Sequence, residues 1–423
     1  MSLNQKVAKL YRRLRQEPNR WQGLFKSTHF DRLVRKHVEE TKQKHRSLGT
    51  CPEQFIVSGI VAQALKSDSQ RDFIDTLTKE GIWRTVCGFQ KSLPDQSTFS
   101  RKWNNETYLF ALEGVFAGLR QLVVMKQLPG ELKYSPPILQ ALQHGYIPFL
   151  TDGTHISLSS KRFDFASRGY ASKNKKREFG AKLHLTTDGL LTMPVAFTAT
   201  EGKDNGSELL DDHLTEIGEN WMSWFKNRQE NSLTLLSIFD KGYWNVKRFW
   251  RLTAAGTCFI CPKKKGAFKN DRVDQQPVSA SAGDLKEFYI WHPGTEKPLR
   301  WISMKRKKNS TKYWELLTNI LDLPAATIIA LYKLRWKIEE FFKCLKHLLG
   351  LRRPLVESWV GFVQHLYFNL LLMMLLIYML TLLGLPKWQT NILELKRLLV
   401  KSPEQPWSFN TLRIPLGSRF DSL

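Results

Sequence analysis

Residues 366–385 read Leu-Tyr-Phe-Asn-Leu-Leu-Leu-Met-Met-Leu-Leu-Ile-Tyr-Met-Leu-Thr-Leu-Leu-Gly-Leu, a run without a single charge. A helix of that length spans the hydrocarbon core of a bilayer. If it does not, its uniformly apolar surface needs a core large enough to enclose it. Asn369, Tyr378 and Thr381 interrupt the run, and a charged helical stretch precedes it. These features favour a buried helix packed on an α/β sheet over a membrane span. The chain can supply the enclosure: 423 residues suffice for two or three domains at about 150 residues each.

The net charge of +25 attracts polyanions, and its ordinary use is to neutralise a row of phosphates with release of counterions. Ribosomal, membrane-surface and heparin-binding proteins share such an excess, so nucleic acid leads without being fixed by charge alone. Five cysteines, an odd and scattered set, fit a reducing compartment without disulfides. Cys258-Phe-Ile-Cys261 has zinc-ligand spacing but reads as a strand, and no second pair accompanies it. The opening Met-Ser-Leu-Asn-Gln-Lys lacks the charged-then-apolar order of a secretory signal, so a cytoplasmic protein is expected.

Residues 1–145 read as a basic, helical N-terminal region that binds DNA. Its first fifty residues are equally consistent with an arm on the DNA backbone and with a solvated tail. Amphipathic segments follow near 55–65, 69–78 and 106–124. Between them Pro94-Asp95 makes a turn and Ser97 or Thr98 caps a helix carrying Arg101, Lys102 and Trp103. That unit is either a helix-turn-helix element or an ordinary capped helix.

The period changes at residue 146. Strand-like runs at 146–150, 180–187 and 190–200 follow, the last two joined by Asp188-Gly189, a hairpin signal that assigns Asp188 to a turn. A helix near 207–225 comes next, then a buried strand at 233–239 ending in Asp240, a helix near 245–255 and a strand at 257–261. This order predicts an α/β domain of ribonuclease-H-like type over 146–262 and 323–385. A mostly β insertion that touches DNA interrupts it at 263–322, with Trp291, Trp301, Trp314 and the basic cluster 305–308. Residues 386–423 form a basic C-terminal tail.

Residues 325–350 read as one helix, opened by Pro324 and closed by Gly350. Leu331, Leu334, Ile338, Phe341, Leu345 and Leu348 fall in one apolar arc of roughly 100°. Tyr332, Arg335, Glu339 and Lys346 share another of about 60°, from which Glu340 is excluded. A carboxylate in such a row can hold a metal while its neighbouring cations grip phosphate. A solvated face with ordinary i,i+4 ion pairs is the plainer reading.

The spacing Tyr332-x2-Arg335-x3-Glu339-x6-Lys346 resembles the YREK signature of the insertion-sequence-four family of DDE transposases. Arg168-Gly-Tyr-Ala-Ser-Lys, Gly180-Ala-Lys-Leu-His and Asp240-Lys-Gly-Tyr are similar to stretches around that family's two aspartates. The resemblance runs from about 152 to 346. It implies a transposase that binds the inverted-repeat ends of its mobile element, cleaves them and joins them to target DNA, working as a homodimer on DNA near the nucleoid and not at a membrane. By position, Asp152, Asp240 and Glu339 would be the metal-binding catalytic residues, and Tyr332, Arg335 and Lys346 would contact end phosphates. Lys312-Tyr-Trp-Glu-Leu-Leu-Thr-Asn resembles the strand whose Trp covers a flipped base, which points to Trp314. A core tryptophan is the alternative there.

The chemistry agrees with that donor set. Phosphodiester cleavage requires a barrier reduction of order 20 kcal/mol, which two Mg²⁺ or Mn²⁺ ions held by carboxylate oxygens can supply. A structure-specific nuclease on the same fold, or a DNA-binding protein that has lost catalysis, are the other readings.

Overall fold

The computed structural model describes residues 9–404 apart from 11, 15, 18, 46–47, 91, 128–133, 171–176, 205, 223–232, 269–273, 278–284, 294, 307–310, 386–387 and 402. The first eight residues, most of the C-terminal tail, 171–173 of the Arg168 motif and Lys307 and Lys308 of the basic cluster therefore lie outside the described residues.

Ten strands among the described residues join in one sheet. They are β1 Tyr146–Ser157, β2 Ser167–Tyr170, β3 Arg177–Asp188, β4 Pro194–Glu201, β5 Thr234–Phe239, β6 Cys258–Pro262, β7 Asp274–Pro277, β8 Leu285–Trp291, β9 Leu299–Lys305 and β10 Tyr313–Thr318. The order is β3-β1-β5-β6-β10-β9-β8-β7, with β2 and β4 pairing successive parts of β3. β1, β5 and β6 run parallel, and the other pairings are antiparallel.

Parallel strands are covered on both faces, which is why β5 is apolar nearly throughout. Leu236 and Ile238 enter the larger core on one face; Leu235 and Phe239 enter a second core on the other. The helix Val246–Ala254 carries the chain from β5 to β6.

Several expectations need correction. The residues of 263–322 are rich in strand and extend the sheet of the α/β domain. β10 pairs with β6 through Leu317↔Cys261, so the same sheet continues through them. The Asp188-Gly189 turn is longer than a two-residue hairpin: β3 ends at Asp188 and β4 begins at Pro194. The Asp188 carboxylate organises it by accepting from the backbone N–H of Leu190, Leu191 and Met193 at 2.9, 2.6 and 2.7 Å. The helix Gln96–Trp103 is capped by Asp95, which accepts from the N–H of Thr98 at 2.7 Å, and not by Ser97 or Thr98.

The apolar run lies in the helix Trp359–Leu382. It is long and apolar enough to cross a membrane, but 83% of its apolar window is buried inside the protein. It packs mainly on the helices Pro52–Leu65, Thr107–Gln127 and Trp388–Lys401, with little contact to β4, so its principal support is helical and not the expected sheet. Gly59 permits the approach, because a methyl group there would stand 2.5 Å from the Phe368 ring. Burying each of its leucines contributes about 1.5–3 kcal/mol, which binds the N-terminal helices to the α/β domain.

The expected single helix at 325–350 is two helices, Ala325–Lys333 and Trp336–His347. Between them Arg335 N–H bonds to Tyr332 C=O at 3.1 Å, and Lys337 N–H to Leu334 C=O at 2.8 Å. These i→i−3 bonds wind the chain more tightly than an α-helix without reversing it. No proline or glycine marks the junction.

Candidate active site

Strand register brings the two aspartates side by side. β1 and β5 pair in parallel from Tyr146↔Thr234 to Thr151↔Phe239, and pairing stops there. Asp152 and Asp240 are the next residue of each strand, so they sit level where the ladder opens, about one strand spacing of 4.8 Å apart in backbone. β1 itself continues to Ser157, supported by β3 alone, with Asp152 opposite Leu185. By the alternation of strands, Asp152 follows Leu150 and Asp240 follows Ile238 on one face, the face of the larger core. Ile338 and Phe341 of the helix Trp336–His347 pack into that core, and the helix lies against β1. Glu339 is thereby turned toward the aspartates.

A cleft of about 1000 Å³ opens there, with Asp152, Asp240, Tyr332, Arg335, Glu339, Lys346 and Trp314 all in its wall. The structure thus brings together every candidate residue of the sequence. Glu340 is not among the lining residues.

Arg335 is the centre of the arrangement. It donates from Nη1 to Asp152 Oδ2 at 2.5 Å and from Nη2 to Glu339 Oε1 at 2.6 Å. Its Nε is buried without a partner. Burial opposes its charge, but Asp152, Tyr332, Asp240 and Glu339 outweigh that and hold its pKa above the ordinary value. Asp152 is pushed up to about 6, first by burial and then by the neighbouring carboxylates of Asp240 and Glu339, against the pull of Arg335. Gly153 N–H donates to its other oxygen at 2.8 Å.

Lys346 donates to Thr154 Oγ1 at 2.5 Å and to the His155 carbonyl at 2.7 Å, which pins the far end of the helix to β1. Burial, and then Arg352, lowers its pKa to about 8. Tyr332 is buried and its phenol is pushed up to about 12, chiefly by burial. Trp314, half-buried on β10, meets the Tyr332 ring edge-on at 5.9 Å. The Arg306 guanidinium lies 4.3 Å from the centre of its indole.

Sequence reasoning missed several cations and two aromatic groups on the cleft wall: Lys241, Lys333, Lys343, Arg352, Trp336 and Phe342. Trp336 and Lys343 sit inside the 325–350 stretch, seven positions apart on one helix face, and that spacing was the available signal. Cys258 and Cys261 fall on opposite faces of β6, one against each core, so the zinc-like spacing does not make a shared site.

Carboxylate oxygens suit a hard divalent cation, and Asp240 and Glu339 add to the burial that raises Asp152. Among the described residues, however, no three Asp, Glu, His or Cys side chains stand close enough to share an ion. The Arg335 guanidinium bridges Asp152 and Glu339, at 2.5 and 2.6 Å, where a cation would bind. The donor set fits a metal in kind, once Arg335 withdraws.

The cleft thus sets an acidic centre among basic side chains on a mixed α/β domain. The family model described as a transposase DDE domain matches residues 143–375, more than half of the chain, and the chain belongs to that family. It is also 27% identical over 192 residues to "Putative transposase y4zB" of Sinorhizobium fredii (strain NBRC 101917 / NGR234). That match covers 43% of this chain and 48% of the relative, so the chain spans about half of the relative's length.

Proposed function

We propose that this protein binds the inverted-repeat ends of an insertion sequence, cleaves them in a metal-dependent reaction and transfers them to target DNA. The level placement of Asp152 and Asp240 where the β1–β5 ladder opens, faced by Glu339, carries this reading. The strand order β4-β3-β1-β5-β6, antiparallel then parallel, supports a ribonuclease-H-like core. The shared cleft wall of Tyr332, Arg335, Glu339 and Lys346 supports the insertion-sequence-four assignment.

In this proposal Asp152, Asp240 and Glu339 hold two Mg²⁺ or Mn²⁺ ions. When bound, the ions supply activation of the attacking oxygen and neutralisation of the leaving one. The chain's own side chains do the rest. Arg335 leaves the carboxylates for an end phosphate, while Lys346 and the Tyr332 hydroxyl orient the same backbone. Trp314 offers a ring face to an unstacked base, and Arg306 must shift from that face first. A homodimer on DNA, cytoplasmic and associated with the nucleoid, completes the reading.

The test uses purified full-length protein, Mg²⁺ and DNA carrying the repeats that flank the gene. The wild type should nick the repeat ends. Asp152→Ala, Asp240→Ala and Glu339→Gln should each bind the ends but leave them uncut. Full cleavage by any of the three would sink the triad, and binding without cleavage by the wild type would make the protein a DNA-binding descendant.

A further inference from the structure

We infer that His184 and Tyr243 form a clamp behind β1 that sets the separation of Asp152 and Asp240, making them positioning residues. The inference rests on the reading of those two aspartates as metal-binding.

The argument begins where backbone pairing ends. Beyond Thr151↔Phe239 no ladder bond holds the Asp240 segment level with Asp152. The two carboxylates repel each other, and the Asp240 side is a short turn, Lys241–Tyr243, that can yield to that force. Arg335 offsets that force while it stays beside Asp152, and once it withdraws something other than the ladder must oppose it.

The opposing contact is a hydrogen bond. His184 stands on β3 opposite Gly153, one residue beyond Asp152. Tyr243 ends the turn after Asp240, and its N–H bonds to the Asp240 carbonyl at 3.0 Å. His184 Nδ1 and the Tyr243 hydroxyl meet at 3.1 Å, reaching across β1. They do so over Gly153, where a Cβ would lie 3.2 Å from His184 Nδ1 and 3.4 Å from the Tyr243 hydroxyl. A glycine next to the first aspartate thus leaves the opening through which β3 holds the turn carrying the second.

Each end of the clamp is itself fixed. His184 Nε2 is 3.3 Å from Thr200 Oγ1 on β4. Gly206, at φ +62°, lies so close that a methyl there would sit 2.0 Å from the imidazole. Tyr243 packs on Phe239, and its carbonyl accepts from Arg248 Nη1 at 2.8 Å. Both side chains are buried. Two apolar residues would fill this space at lower desolvation cost, but only a directional bond fixes a distance.

The experiment is a Mn²⁺ titration, followed by electron paramagnetic resonance, of the full chain on pre-cut end DNA. Tyr243→Phe and His184→Gln should weaken Mn²⁺ binding by about tenfold, the usual effect of losing a group that orients a metal ligand. DNA affinity should stay as in the wild type, and saturating Mn²⁺ should restore joining of the pre-cut ends to added target DNA, which a merely destabilised fold would not allow. Asp152→Ala should lose the ion altogether. Wild-type Mn²⁺ affinity in Tyr243→Phe, beside loss in Asp152→Ala, overturns the clamp and leaves the metal reading standing. Retention of the ion by Asp152→Ala removes that reading and the clamp with it. Should Tyr243→Phe not fold, Gly153→Ala wedges a methyl into the same contact: a similar tenfold loss supports the clamp, and unchanged affinity overturns it.

Discussion

Two arginines on opposite sides of the sheet, Arg248 buried and Arg335 partly buried, are finished to different degrees. Arg248 gives Nε to Asp211 Oδ1 at 2.8 Å, Nη2 to Asp211 Oδ2 at 3.1 Å and to the Ser207 carbonyl at 2.6 Å, and Nη1 to the Tyr243 carbonyl. Its guanidinium ties a loop, a helix and a turn together. Arg335 meets two carboxylates that belong to different elements, leaves Nε unpartnered and faces an open cleft. A satisfied charge is part of the framework, whereas one left incomplete among competing partners is available for exchange.

The contrast breaks most readily by truncation. Arg248→Ala should cost about 3 kcal/mol of stability, because it leaves the Ser207 and Tyr243 carbonyls and half of Asp211 without a donor. Arg335→Ala should cost about 1 kcal/mol or less, since the open cleft admits water to Asp152 and Glu339 in its place. Urea denaturation of both variants measures the difference, and equal losses would erase the distinction. A smaller effect sharpens it. Without DNA, Arg335→Ala should bind Mn²⁺ about tenfold more tightly than the wild type, a change of about 1.4 kcal/mol, because the stand-in cation is gone. Calorimetric titration showing weaker binding would make Arg335 a support for the ligands instead of a competitor.

The smallest effect is the pH response. Asp152 must be ionised to hold a cation, and its pKa of about 6 lies above the ordinary 3.8. Metal affinity should therefore be full above pH 6 and fall about tenfold per unit below it. For stability the sign is the reverse: the buried carboxyl is most favourable when protonated, so its contribution declines from about pH 4 to 6. Lys346, lowered to about 8, loses its charge above that pH and with it any hold on phosphate. Cleavage should be greatest between about pH 6 and 8 and fall on both sides, and a profile still flat below the first value and above the second would contradict both assignments.

Much of the site was legible because its residues obey simple periods. The row from Tyr332 to Lys346 follows from helical geometry, and Asp240 from a buried strand that ends in a charge. What escaped depended on tertiary context. The tight winding at Arg335 carries no proline or glycine signal. The length of β1 past Leu150 depends on a partner, β3, that supports it after β5 has stopped. The junction of β10 with β6 is a long-range pairing that no local pattern encodes. His184 and Tyr243 are separated by 59 positions and look ordinary in sequence.

The unbroken run from β1 through β5 and β6 to β10 makes that last pairing more than topology. Trp314 lies on β10 and Asp240 directly follows β5, two strands away in one hydrogen-bonded plate, a lateral interval of about 10 Å. If one receives a displaced base and the other marks the point of scission, the protein carries a fixed ruler, graduated in strand spacings, for how far from the cut a nucleotide is held.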